Sequence, residues 1–155
     1  MEPIYILLVF VILFIILIVL IYNNLIRKKN EIQNAFGSID AQLKKRYDLI
    51  PNLVSTVKEY AAHENEILTK VTELRSQALW GKQVSSEEKV KIDNEISGNL
   101  RQLMISVENY PDLKANTNFL QLQRSLNEIE SQISAARRTF NASVTNYNNS
   151  IQVFP

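Results

Sequence analysis

Residues 4–22 read IYILLVFVILFIILIVLIY, a run of 19 side chains with no charge among them. Nothing else in the chain restricts its fold so strongly. A bilayer core of ~30 Å is crossed by about 20 helical residues at ~1.5 Å each, which is the length on offer. A cleaved secretion signal would have a basic start, a shorter apolar stretch and a small-x-small cleavage site. Here Met1-Glu2-Pro3 precedes the run and Asn23-Asn24-Leu25-Ile26 follows it, so a retained anchor is expected. Basic residues lie only on the far side, at Arg27, Lys28 and Lys29 and then at Lys44, Lys45 and Arg46. Basic flanks stay cytoplasmic, which predicts an N-terminus outside the cell and a domain inside it. The expected organisation is an anchor with its flank over 1–26 and a helical domain over 27–155.

Beyond the anchor, roughly 130 residues suffice for one domain with its own core. The net charge of +1 supplies no field that would gather nucleic acid. The chain has no cysteine, which removes disulfides, thiolate metal sites, thiol nucleophiles and a lipidated N-terminal cysteine together. The domain must be held by packing.

The packing pattern is helical throughout. Between 23 and 80 there is one glycine, Gly37, and one proline, Pro51. Ile32, Phe36, Ile39, Leu43, Ile50, Leu53, Val57, Tyr60, Ile67, Val71, Leu74 and Ala78 advance by threes and fours, with gaps near 46 and 64. Because the phase survives Pro51, one long helix kinked near Tyr47 is favoured over two helices with Asp48 capping the second. Gly81 then reads as a stop and Ser85 with Glu88 as a capping box. A second helix follows with the seam Ile92, Ile96, Leu100, Leu103 and Val107, ending at Tyr110-Pro111. The last helix starts near Thr117, with Phe119, Leu122, Leu126, Ile129, Ile133, Ala136, Phe140, Val144, Tyr147 and Ile151 in register. The pattern predicts an all-α fold, in which the transmembrane helix continues into an antiparallel bundle of three to four long helices. If the first helix reaches Trp80, residues 110–116 must run extended as a strap toward the membrane. The last helix would then finish at the membrane-distal tip.

Several stretches resemble the bacterial LemA family. Asp40-Ala41-Gln42-Leu43-Lys44-Lys45-Arg46-Tyr47-Asp48-Leu49-Ile50-Pro51-Asn52-Leu53-Val54 is similar to its signature. Tyr60-Ala61-Ala62-His63-Glu64, Glu108-Asn109-Tyr110-Pro111-Asp112-Leu113-Lys114, Ala136-Arg137-Arg138-Thr139-Phe140-Asn141 and the closing 147–155 follow in family order. The resemblance implies a single-span membrane protein with a helical-bundle domain, and it carries over no catalytic residue. Relatives usually continue for some tens of residues past the point matching Pro155.

The polar residues offer few chemistries. Arg46 and Glu64 occupy seam positions where apolar side chains belong, and ~27 Å of straight helix would separate them. Arg46, Glu64 and Arg137 are therefore candidates for structural ion pairing, with Glu64 expected to lie near Arg137. His63 is the only histidine, and no second histidine stands four residues on, so a metal site is not expected. No G-x-S-x-G motif or glycine-rich phosphate loop is present. Arg27, Lys28 and Lys29 are candidates for anionic lipid heads as well as a stop-transfer flank. Asn141, Asn146, Asn148 and Asn149 are weak helix formers clustered on a long helix, a pattern that on a seam would specify register or partner number.

These features together predict a non-enzymatic single-pass protein that requires no cofactor and no metal. Its expected partners are the lipid bilayer, further copies of itself as a homo-oligomer, and a possible membrane protein, but not nucleic acid. It would act as a self-associating scaffold or interaction module. The alternative is an accessory subunit of a membrane protease or transporter. An enzyme would instead need a pocket joining Arg46, His63 or Glu64 with an acid such as Glu108.

Overall fold

The computed structural model describes residues 2–80 and 86–153. These residues form helices and turns, with no strand among them. In chain order the helices are α1 (Glu2–Lys58), α2 (Asn65–Trp80), α3 (Ser86–Ser106), α4 (Pro111–Ala115) and α5 (Thr117–Gln152). Single 3-10 turns at Ala62–Glu64 and Val107–Asn109 precede α2 and α4. The predicted stop at Gly81 and the Ser85–Glu88 capping box lie outside the described residues, since 81–85 separate α2 from α3.

The apolar run is the first third of α1, a 57-residue helix in which residues 4–22 are exposed throughout. It is long and apolar enough to cross a membrane. Helix α1 passes through Pro51 without a break. It stops instead at Lys58, where the amides of Tyr60 and Ala61 both donate to the Val57 carbonyl, at 3.1 and 2.9 Å. The sequence predicts helix as far as Trp80, and this is where it misleads. At the break Ala61 and Leu68 are buried in place of the expected Tyr60, which is 38% exposed, and Ile67, while Val71 and Leu74 are buried as the spacing predicts. The gap near 64 in the apolar pattern marks this reversal. The chain turns back, because Arg75 Nε donates to the Tyr47 carbonyl at 2.8 Å, across a sequence separation that a straight helix would stretch to ~42 Å.

The strap is a second departure. Residues 111–115 form the short helix α4, with Tyr110 and Asn116 extended on either side. Pro111 takes the first helical position, where its fixed φ is favourable and its missing N–H costs nothing. Leu113 is fully buried and anchors the turn. Asn116 then caps α5, its Oδ1 accepting from the Phe119 amide at 3.0 Å, while its Nδ2 donates to Tyr60 Oη at 3.0 Å.

The chain divides into two compact units, Met1–Asp40 with Ser134–Pro155, and Ala41–Ile133. The second unit holds most of the core. Leu53, Val57, Ala61, Val71, Ile96, Leu103 and Leu113 have no exposed surface, and Phe119 and Ile133 are at 1%. The α3 seam predicted from Ile92 to Val107 is buried at every position. The first unit is a two-helix pairing. Phe36 and Phe140 meet with centroids 6.0 Å apart and planes tilted by 56°. Lys28 Nζ donates to Ser150 Oγ. The last turns of α5 therefore lie beside residues 21–28, not at a tip remote from the membrane end.

Candidate functional site

Arg46 and Asp93 are the buried charges among the described residues, at 2% and 1% exposure. Arg46 stands on α1 in step with Leu43, Ile50, Leu53 and Val57, so the helix aims it into the core of the second unit. Its Nη2 meets Asp93 Oδ1 from α3, a carboxylate only 2% exposed. Its Nη1 donates to Ser97 Oγ at 2.9 Å and to Glu130 Oε2 on α5 at 2.7 Å. Glu130 reaches in from the rim, with 53% of its side chain exposed. A buried guanidinium costs several kcal/mol unless paired and hydrogen-bonded, and here two helices, α3 and α5, supply the partners. A shallow cavity of about 270 Å³ opens beside it, with Arg101 and Asn127 at its mouth.

This arrangement ties α1 to α3 and α5. An arginine does not give up its proton near neutral pH, and the Ser97 hydroxyl accepts from it. Among the described residues, no group of three or more His, Asp or Glu side chains is placed to hold a metal ion. Sequence reasoning singled out Arg46 but not Asp93, Ser97 or Glu130. One signal was available: Asp93, Ile96, Leu100, Leu103 and Val107 step by threes and fours, which puts an acid on a buried seam.

The other candidates are scattered. Glu64 is half-buried and accepts from the Tyr110 phenol at 3.4 Å. That phenol is held above its ordinary value of 10, first by desolvation, then by the charge of Glu64 and the hydrogen bond between them. Arg137 is half-buried and belongs to the other compact unit. His63 is exposed. Glu108 forms an exposed ion pair with Lys114, a kind worth ~1 kcal/mol or less. In the basic flank, Arg27 and Lys29 are exposed, with Arg27 Nε donating to the Asn23 carbonyl at 3.4 Å. Lys28 differs in being half-buried and bonded to Ser150. Asn141, Asn146, Asn148 and Asn149 are all exposed, so they form no polar seam within this chain.

Fold and site together define an all-α protein whose first helix is suited to crossing a membrane and whose buried Arg46 meets acids from two other helices. The LemA family model matches residues 35–155, and the chain belongs to that family. It is 34% identical over 132 residues to Protein LemA of Metamycoplasma hominis, covering 85% of this chain and 60% of that one. It is also similar to magnetosome protein MamQ 2 of Paramagnetospirillum magneticum, 24% identical over 169 aligned positions, with 94% of this chain and 62% of the relative covered. MamQ of Magnetospirillum gryphiswaldense is 23% identical over 158 positions, covering 86% and 58%. The chain thus spans about three fifths of the length of the relatives it matches.

Proposed function

We propose that this protein is a non-enzymatic, single-pass membrane scaffold that associates with further copies of itself. In this reading α1 anchors it with the N-terminus outside, and its helices pack as an antiparallel bundle in the cytoplasm. The supporting observation is the incomplete burial of the first unit's seam. Ile32, Phe36 and Ile39 on α1, and Phe140, Val144 and Tyr147 on α5, are half-buried, while among the unit's described residues only Ala35 and Ala136 are buried. Two helices alone leave such a stripe half wet, and a further helix pair laid against it would remove the remaining apolar surface from water. The Arg46 cluster favours the same reading, since its polar groups are committed to one another.

Mass photometry of the full chain in mild detergent tests the proposal, with cross-linking of single-cysteine variants at Ile32 or Tyr147. The chain has no cysteine of its own, so each cross-link reports one position. Discrete oligomers cross-linked at these sites are expected; a strict monomer with no co-purifying partner would sink the idea. Co-purification of a different membrane protein, lost when residues 4–22 are replaced by an unrelated span, would move the role to an accessory subunit.

A further inference from the structure

A groove of about 440 Å³ lies between the end of the anchor and the last turns of α5. One part of its wall is apolar, from Ile21, Leu25 and Val153, and the rest is polar, from Lys28, Asn146, Asn149 and Ser150. Both helices belong to the same compact unit. We infer that this groove holds an anionic phospholipid, its phosphate on Lys28 and the α5 amides and its acyl chain along Ile21 and Leu25. The inference rests on residues 4–22 being a membrane span.

Depth is the first argument. Lys28 is six residues past Tyr22, ~9 Å along a helix, and the headgroup layer of a bilayer extends roughly 5–8 Å beyond its hydrocarbon core. A lysine side chain leans toward the helix N-terminus and spans several ångströms, so its ammonium reaches back to headgroup level while Ile21 is still among acyl chains. Charge is the second. Residues 20–30 and 141–153 contain three bases, Arg27, Lys28 and Lys29, and no acid. The carbonyl end of α5 offsets only about half a charge of that. Built geometry is the third. Lys28 alone of the three bases is half-buried, held by Ser150, whose own hydroxyl donates to the Asn146 carbonyl at 2.7 Å. The exposed Asn146 and Asn149 then have a task their poor helix propensity would otherwise leave unexplained: neutral amide donors read a phosphate without adding charge.

Native mass spectrometry of the full chain in mild detergent tests this, with phosphatidylglycerol and phosphatidylcholine as probes. One phosphatidylglycerol should be retained in preference to phosphatidylcholine. Lys28→Gln should weaken it about fivefold or more, and the uncharged Asn146→Leu/Asn149→Leu pair should weaken it too, whereas Arg27→Gln and Lys29→Gln should stay within about twofold. Circular dichroism confirms that each variant is folded. Equal losses for all three basic substitutions, with none for the asparagine pair, would mean diffuse attraction and overturn the site. So would glycerol phosphate binding as tightly as the lipid, which would make it a site for a soluble anion. A cysteine at position 146 that cross-links to a second copy would assign the groove to a protein contact. Alkaline extraction of membranes separates this failure from that of the span: a chain retained in the membrane but without lipid selectivity loses only the site, and a released chain loses the anchor reading itself.

Discussion

Pro51 and Arg75 should be energetically coupled although neither side chain needs to touch the other. A proline in a helix has no N–H to offer the carbonyl four residues earlier, here that of Tyr47. Arg75 Nε supplies a donor to that carbonyl at 2.8 Å from α2. Tyr47 is 7% exposed, so water is a poor substitute there. A hydrogen bond from a charged donor contributes ~1.5–3 kcal/mol, and since Arg75 is half-buried the lower end applies. Arg75→Met in the natural chain should therefore cost about 1.5 kcal/mol. Pro51→Ala restores an N–H to Tyr47 and removes a helix penalty of up to ~3 kcal/mol, so it should stabilise despite weakening the tie to α2. In that background Arg75→Met should cost less than ~0.5 kcal/mol, because the carbonyl is already satisfied. The coupling of about 1 kcal/mol is measurable by urea unfolding of the four proteins in mild detergent, followed by helical circular dichroism. Equal costs of Arg75→Met in both backgrounds would refute the reasoning. They would show that the bond owes nothing to the missing amide.

The Arg46 cluster predicts a sharp inequality between its two acids: Asp93→Asn should destabilise by ~3–5 kcal/mol, and Glu130→Gln, at a half-exposed position, by ~1 kcal/mol or less, in the same unfolding assay. Similar costs for both would deny Asp93 its special role. Gly37 and Gly98 sit inside helices with nothing within 4 Å of an added Cβ and no positive φ, so Gly37→Ala and Gly98→Ala should each raise stability by ~0.5–1 kcal/mol. A loss at Gly37 would instead reveal a close contact with another chain. The raised Tyr110 phenol stabilises the fold fully below pH 10 and loses that contribution as pH climbs through its higher folded value. Stability should thus fall more steeply above pH 10 in the natural protein than in Tyr110→Phe, and parallel pH profiles would contradict this.

Helical periodicity was legible wherever the burial pattern is local. The α3 seam from Ile92 to Val107 and the α5 seam from Phe119 to Ala136 can be read from spacing alone, Leu122 being half-buried and the rest buried. Past Ala136 the same spacing continues to Ile151, yet burial fades until Ile151 is 53% exposed. Periodicity reports which face is apolar but not how much surface another element covers. The same limit applies to the asparagines of α5, which sequence places near a seam and the structure leaves exposed.

The sequence by itself determined the all-α character and the membrane-suited first helix. Both follow from contiguous composition: a charge-free run of bilayer length, and apolar steps of three and four with almost no helix breakers. The tertiary structure decided where α1 ends, what meets Arg46 and where the last turns of α5 lie. No glycine or proline marks 59–61, and Pro51 lies inside α1, as the preserved apolar phase predicts. The break is set by the burial of Ala61 and Leu68 and by Arg75 returning to Tyr47, contacts between residues far apart in the chain. Local propensity carries no record of such pairings, and the gap in the apolar pattern near 64 is all they leave in the sequence.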